Sequence, residues 1–324
     1  MNVIDVMAAT LAELLREDAR RVLLGEDVRT GGMLGWSRRC IDDPELAARA
    51  LALPLLPATL AAHAGGLAAA GLRPIVLLPG VAPLLEGLAG LREVCALAAR
   101  TAGERTAPVL LVAPCGPGFG TAGDAVDAPE AALVHTPGLR VIVLGRAHEA
   151  AALLTAAANF EAGEEPTVLL VPRMLLATAI DDEPAAELGR LPGEPVRVRA
   201  GRAMTVFAWG ECVDLALSAC DAAQGGAGVD AAVWDVGGLA PLPIDRLVEA
   251  ARDTGRVAIV HAGPRSFGAG AELAAVIADR AVLWLDGPIL RVCGEAGPFG
   301  PRQELRALPS EADLVAALQT LAIP

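Results

Sequence analysis

The chain has 324 residues and a net charge of -13, with 39 acidic residues against 26 arginines and no lysine. Hydrophobic residues make up 54% and charged residues 20%, a balance that excludes intrinsic disorder and favours a large buried core. The acidity excludes nucleic acid as a partner, because phosphate binding needs concentrated cations. A chain this long exceeds what one core usually organises, so two domains are expected.

No apolar run is both long enough and free of Gly, Pro and charge to span a bilayer. The nearest, residues 58–72, reads as a buried helix. The N-terminal stretch is not a secretory signal, since Asp5 interrupts it and no basic segment precedes it. Cys40, Cys95, Cys115, Cys212, Cys220 and Cys293 are scattered without a C-x-x-C pair. They are expected to be reduced core residues of a cytoplasmic protein.

Apolar strands alternate with helices along the chain. Residues 3–16 form a helix with Val6, Leu11, Leu14 and Leu15 on one stripe. Residues 21–25 are a short buried strand. An Ala-rich helix spans 57–70, with its proline in the first turn and Gly71 and Pro74 ending it. A strand at 75–78 leads to a helix at 81–100, and a strand at 108–113 runs into a Gly-rich loop at 115–123. A short helix at 129–134, a strand at 139–144, a helix at 148–159 and a strand at 167–171 follow. This alternation implies parallel crossovers in an open α/β sheet.

Periodicity lapses at 181–202, where acid and Pro184, Pro192 and Pro195 read as a linker. A second α/β unit follows, with strands at 203–209, 231–235, 257–261 and 281–285. Its helices are expected at 213–223, 244–252, 270–278 and 311–320. The division is therefore residues 1–185 and 200–324 with a linker over 181–202.

Chemistry-bearing residues are sparse. His63 lies mid-helix among alanines and is expected to be buried. His135 precedes a Thr-Pro-Gly turn, and His148 stands near a helix start in solvent. His261 ends a predicted strand, where α/β sheets place their sites, and is the best candidate of the four. No His or carboxylate spacing suggests a metal site. The loop Cys115-Gly116-Pro117-Gly118-Phe119-Gly120 has the glycines of an anion cradle but lacks the Lys-Ser/Thr of a P-loop. Glu26, in the Gly-Glu-Asp that closes the first strand, can hold a cofactor or cap a loop.

Several stretches, taken in order, resemble one family. They are Leu24-Gly25-Glu26-Asp27-Val28, Gly31-Gly32, Ala70-Gly71-Leu72-Arg73-Pro74, Ala113-Pro114-Cys115-Gly116, Pro129-Glu130-Ala131 and His135-x-Pro137-Gly138-Leu139. The second half adds Thr254-Gly255-Arg256, Val260-His261, Pro264-Arg265, Phe267-Gly268-Ala269, Asp286-Gly287-Pro288 and Leu290-Arg291-Val292. The series resembles the beta subunit of the decarboxylating component of thiamine-diphosphate-dependent pyruvate, branched-chain 2-oxoacid and acetoin dehydrogenases. The resemblance implies a transketolase-like pyrimidine-binding α/β domain followed by a transketolase C-terminal-type α/β domain. It also implies a heterotetramer of two alpha and two beta chains. Thiamine diphosphate would lie between them, its diphosphate and Mg²⁺ held by the alpha chain and its aminopyrimidine by the beta chain.

Departures from the family's pattern fall together. A glutamate in Pro-Leu-x-Glu, which shares a proton with the pyrimidine ring, is replaced in Pro54-Leu55-Leu56-Pro57 by Pro57. The nearest acids, Glu45 and Glu86, are far off in the alignment. An aromatic-acid stretch lining the pyrimidine becomes Pro79-Gly80-Val81-Ala82-Pro83, which puts Gly80 where the ring platform stands. A His-Ser-Gln after the Gly-rich loop becomes Ala125-Val126-Asp127. In the second half, Asp-x-Arg-Thr becomes Asp235-Val236-Gly237-Gly238, and His-Glu becomes His261-Ala262. The glycines and prolines that shape the fold are kept.

The resemblance thus implies a divergent beta subunit without catalytic side chains, a structural or regulatory member of a homodimer or of a heterotetramer with an alpha-type chain. The family pocket positions for the cofactor are Glu26, Pro57 and Gly80. Thiamine diphosphate and Mg²⁺ are expected only if an alpha partner supplies the diphosphate site. Two alternatives are an active beta subunit working through an unusual site, and a remodelled cleft for another small molecule.

Overall fold

The computed structural model describes residues 1–32, 34–54, 56–101, 103, 106–120, 128–159, 165–180 and 191–323. The chain divides into two units. One comprises Met1–Cys115, Ala132–Ile142 and Ala147–Pro192, the other Gly116–Ala131, Val143–Arg146 and Gly193–Pro324. Residues 116–120, 128–131 and 143–146 thus group with the second unit.

In the first unit the strands are β1 (Arg21–Gly25), β2 (Ala50–Ala52), β3 (Arg73–Leu77), β4 (Leu110–Cys115), β5 (Arg140–Val143, all but its last residue) and β6 (Thr167–Pro172). They lie in the order β5-β6-β4-β3-β1-β2, and β6, β4, β3, β1 and β2 run parallel. β1, β3, β4 and β6 are buried along their whole length, as expected where crossover helices cover a parallel sheet. The helix Val3–Glu17 starts at a capping box: Asp5 N–H donates to Asn2 Oδ1 at 2.9 Å, and the Asp5 carboxylate accepts from the Asn2 N–H. Its Val6, Leu11, Leu14 and Leu15 are buried as the stripe predicts.

Pro57 opens the helix Pro57–Ala69, in the position where its missing N–H costs nothing. The expected single helix over 81–100 is instead three, Val81–Glu86, Leu88–Cys95 and Leu97–Arg100. The first break falls at Gly87, which stands against the Pro57 carbonyl; a Cβ there would lie 2.8 Å from that oxygen. Continuous apolar periodicity does not reveal such a break, because Val81 and Leu84 before it and Leu91 and Val94 after it are all buried.

The second unit contains β7 (Val196–Arg199), β8 (Met204–Ala208), β9 (Ala231–Asp235), β10 (Gly238–Ala240), β11 (Val257–Pro264) and β12 (Leu290–Gly294). Its five-stranded sheet has the order β12-β11-β8-β9-β7, parallel except that β7 runs antiparallel to β9. The helices Cys212–Ala227, Ile244–Thr254, Ala269–Ala281 and Glu311–Ala322 accompany it. Val206, Val213, Ala216, Val260, Leu314 and Leu318 sit in its core.

Two expectations are corrected here. Residues 196–199, assigned to the linker, form β7; alternating Val and Arg suit an edge strand. The strand expected at 281–285 does not form. The helix Ala269–Ala281 ends there in a 3-10 turn over Val282–Trp284, with all three side chains exposed, and the strand is β12. A short apolar run does not distinguish strand from helix end by periodicity. β12 carries no clear strand signal because, as an edge strand, it is only partly buried and mixes polar with apolar residues. Residues 181–190, the rest of the expected linker, lie outside the described residues.

Candidate functional site

The pocket positions of the first unit are taken up by packing. Glu26 follows β1 and is exposed. Pro57 is half-buried and shares a small apolar cavity with Leu60, Leu78, Pro83, Leu84 and Leu91, with room of only about 10 Å³. That is barely enough for one water. No carboxylate, hydroxyl or imidazole lines it among the described residues. Glu45 and Glu86 are both exposed.

Gly80 is buried in extended backbone just before the helix Val81–Glu86. A Cβ there would lie 2.8 Å from the Arg173 guanidinium. Arg173, the first residue of the helix Arg173–Leu176 after β6, is itself buried, so its side chain uses the space in front of Gly80. Ala125 lies outside the described residues.

In the second unit, His261 is brought together with three residues the sequence did not link to it, Trp209, Gly270 and Cys293. His261 lies within β11 rather than at its end, since the strand runs on to Pro264. Its ring stacks on Trp209 with centroids 4.9 Å apart and planes 7° from parallel. The helix Ala269–Ala281 closes the site at Gly270, where a Cβ would lie 2.5 Å from the imidazole. Nδ1–H donates to the Ala262 carbonyl at 2.6 Å, since a carbonyl oxygen only accepts. Nε2 then faces Cys293 Sγ at 3.2 Å; His261 and Cys293 are register partners on β11 and β12.

Burial pulls the His261 pKa down, partly offset by the Ala262 carbonyl, and Arg291 adds to the lowering. Burial also pushes the Cys293 thiol up, against the pull of Arg291 and Arg265. The pair therefore rests as neutral imidazole and thiol.

Behind Trp209 lie two carboxyl groups. Trp209 Nε1 donates to Glu130 Oε1 at 3.3 Å, and burial raises the Glu130 pKa despite that hydrogen bond. Burial, with the Glu130 charge adding, pushes Glu211 up to about 7; its remaining surface exposure tempers the effect. Glu211 precedes the helix Cys212–Ala227 just past β8. Like charges in one buried site oppose each other's ionisation.

His63 is exposed, contrary to expectation: it faces outward from a helix whose alanines are small on every side. His135 is exposed and His148 half-buried. Among the described residues no group of three or more His, Cys, Asp or Glu could hold a metal ion, and no helix is long and apolar enough to cross a membrane.

The two halves match two described families. Residues 1–178 match the transketolase pyrimidine-binding domain and residues 193–313 the transketolase C-terminal domain. A 3-methyl-2-oxobutanoate dehydrogenase subunit beta from Mycobacterium tuberculosis is 30% identical, over 93% of this chain and 86% of that protein. A mitochondrial 2-oxoisovalerate dehydrogenase subunit beta from Dictyostelium discoideum is 28% identical, over 92% of this chain and 80% of that protein. Among solved structures, a split-gene transketolase described as an inactive beta4 tetramer superposes with a TM-score of 0.77 at 21% identity, covering 99% of this chain and 98% of that one. Transketolase from Leishmania mexicana gives 0.71 at 17% identity, covering 98% of this chain and 45% of that one.

Proposed function

We propose that this chain, which belongs to the family of 2-oxoacid dehydrogenase beta subunits built of a transketolase pyrimidine-binding and a transketolase C-terminal domain, is a non-catalytic structural or regulatory subunit of an oligomer. The observation that carries this is the surroundings of Pro57. The position that the resemblance gives to a proton-sharing glutamate begins a helix and faces an apolar cavity too small for a ring. Proline has no proton to exchange, and general acid-base help is worth ~10²–10⁴ in rate.

The residues present do not fit the aminopyrimidine of thiamine diphosphate. Arg173 uses the space in front of Gly80 where an aromatic platform would stand, and a guanidinium, which only donates hydrogen bonds and stays protonated, cannot exchange a proton with the pyrimidine ring. Glu26 keeps a carboxylate, but it is exposed. No step of decarboxylation is assigned to this chain.

Assembly with other chains is supported by the name beta subunit that the relatives carry, and by the tetramer described for a protein of the same fold. The helix Pro57–Ala69, rich in alanine and glycine, permits close approach of a second helix, and interfaces of this kind tend to be large and apolar. Light scattering should show an oligomer across concentration; a clean monomer would refute it. Titration calorimetry with thiamine diphosphate and Mg²⁺ should give no heat of binding for the chain alone. Binding by the chain alone would contradict the proposal.

A further inference from the structure

We propose that Cys293 is a thiol-modification site of this protein, with His261 as its general base and small disulfides, anionic ones preferred, as its reagents. Three features of the second unit carry it. Cys293 is only half-buried and lies on the sheet's edge strand, whereas Cys40, Cys115, Cys212 and Cys220 are buried. Its sulfur stands 3.2 Å from a ring nitrogen, and that nitrogen is left as an acceptor because the other donates to the Ala262 carbonyl. The imidazole is held by the Trp209 stack on one side and the helix at Gly270 on another. A nucleophile, a base within reach and a group that orients the base together form the arrangement that activates weak nucleophiles.

The surroundings favour an anion. Arg265 is exposed and Arg291 half-buried, Arg291 Nη1 donates to the Arg265 carbonyl at 2.6 Å, and both arginines act electrostatically on Cys293. They stabilise negative charge developing on the sulfur and attract a carboxylate-bearing reagent.

The step is thiol–disulfide exchange. The Cys293 S–H gives its proton to His261 Nε2 as the sulfur attacks one sulfur of the reagent. The reagent's S–S bond breaks, its other sulfur leaves with the electron pair, and it takes the proton from His261. The products are a mixed disulfide on Cys293 and one free small thiol. Because the resting pair is neutral, the base acts during attack and does not maintain a standing thiolate.

The test follows the intact chain reacting with dithiobis(nitrobenzoate), an anionic disulfide, and with neutral dipyridyl disulfide, mapping the modified cysteines by mass spectrometry. Cys95, also half-buried, is the internal control. Cys293 should react first, ~10-fold or more ahead of Cys95, and His261→Gln should slow it by ~10-fold or more while Cys95 is unchanged, at the low end of general-base contributions. Arg265→Ala should slow the anionic reagent more than the neutral one. If His261→Gln fails to fold, the wild-type ratio of Cys293 to Cys95 and the Arg265→Ala comparison decide. Equal labelling of Cys293 and Cys95 in the wild type, or an unchanged Cys293 rate in folded His261→Gln, would overturn the proposal.

Discussion

The two units differ in what they bury around the positions the sequence singled out. In the first, Pro57 and Gly80 stand among apolar side chains and one buried arginine, with no acid or imidazole among the described residues of the cavity beside Pro57. In the second, a thiol–imidazole contact, a ring stack and a hydrogen bond link Cys293, His261, Trp209 and Glu130 in turn, with Glu211 coupled electrostatically to Glu130. Buried polar networks are costly unless satisfied, and in the second unit Trp209 partners Glu130 and the Ala262 carbonyl partners His261. The network of the second unit is the setting of the thiol chemistry proposed at Cys293.

The largest effect should come from the second unit's network. Trp209→Ala removes a buried aromatic, its stack on His261 and the donor to a buried carboxyl. Truncations of this kind cost about 3–5 kcal/mol, and the unpartnered Glu130 adds to that. Denaturant titration should place the variant far below the wild type; a loss under about 1 kcal/mol would mean that the network does not hold the unit together.

In the first unit, Gly80→Phe should destabilise by about 1–3 kcal/mol, the usual cost of overpacking, because the ring must displace Arg173. A neutral or stabilising result would show that the family's aromatic platform can still be accommodated, and would weaken the contrast between the units.

The acids sharpen the comparison through pH. Glu211 is raised from 4.5 to about 7 in the folded protein, so between those values the folded state holds a proton that the unfolded state has released. Stability therefore falls as pH rises through that window and stays at its lower level above it. Glu211→Gln should flatten this fall, by about 1–3 kcal/mol at neutral pH given ~1.4 kcal/mol per pH unit and the partial exposure of the group. Chemical denaturation at pH 5 and pH 8 would check it; identical pH slopes in wild type and variant would contradict the assignment.

The smallest expected effect is that of Pro57→Glu on function. The carboxylate would meet an apolar cavity and tend to neutralise, so the variant should gain neither cofactor binding nor turnover with any partner supplied. Recovery of activity by this one substitution would mean that the remaining pocket is intact.

Much of the fold was legible. Strands such as β1, β4 and β9 announced themselves as short apolar runs, because a parallel sheet covered on both faces needs them. What failed was local. β12 is an edge strand of mixed character, the 282–284 segment is apolar yet exposed, and the break at Gly87 is set by a close approach to Pro57 that no periodicity records. The candidate site was legible only in part. Pro57 and Gly80 were marked by departure from a motif, and His261 by its place on a strand. Arg173 carried no signal, since its partnership with Gly80 joins residues distant in sequence. Glu130 lay within the motif Pro129-Glu130-Ala131, and Glu211 lay just beyond a strand where sites gather, but neither sequence feature indicated that both carboxyl groups would share one buried site. Cys293 was hidden because its strand was not foreseen.

Turnover is the most direct test of the central claim that the family's chemistry has been lost. The wild-type chain would be combined with an alpha-type subunit of the family, thiamine diphosphate and Mg²⁺, and release of carbon dioxide from pyruvate and from branched-chain 2-oxoacids measured against an alpha-only control. No release above that control is predicted. Sustained release that depends on this chain would show that Pro57 and Gly80 are compatible with catalysis and that the chain is a working beta subunit.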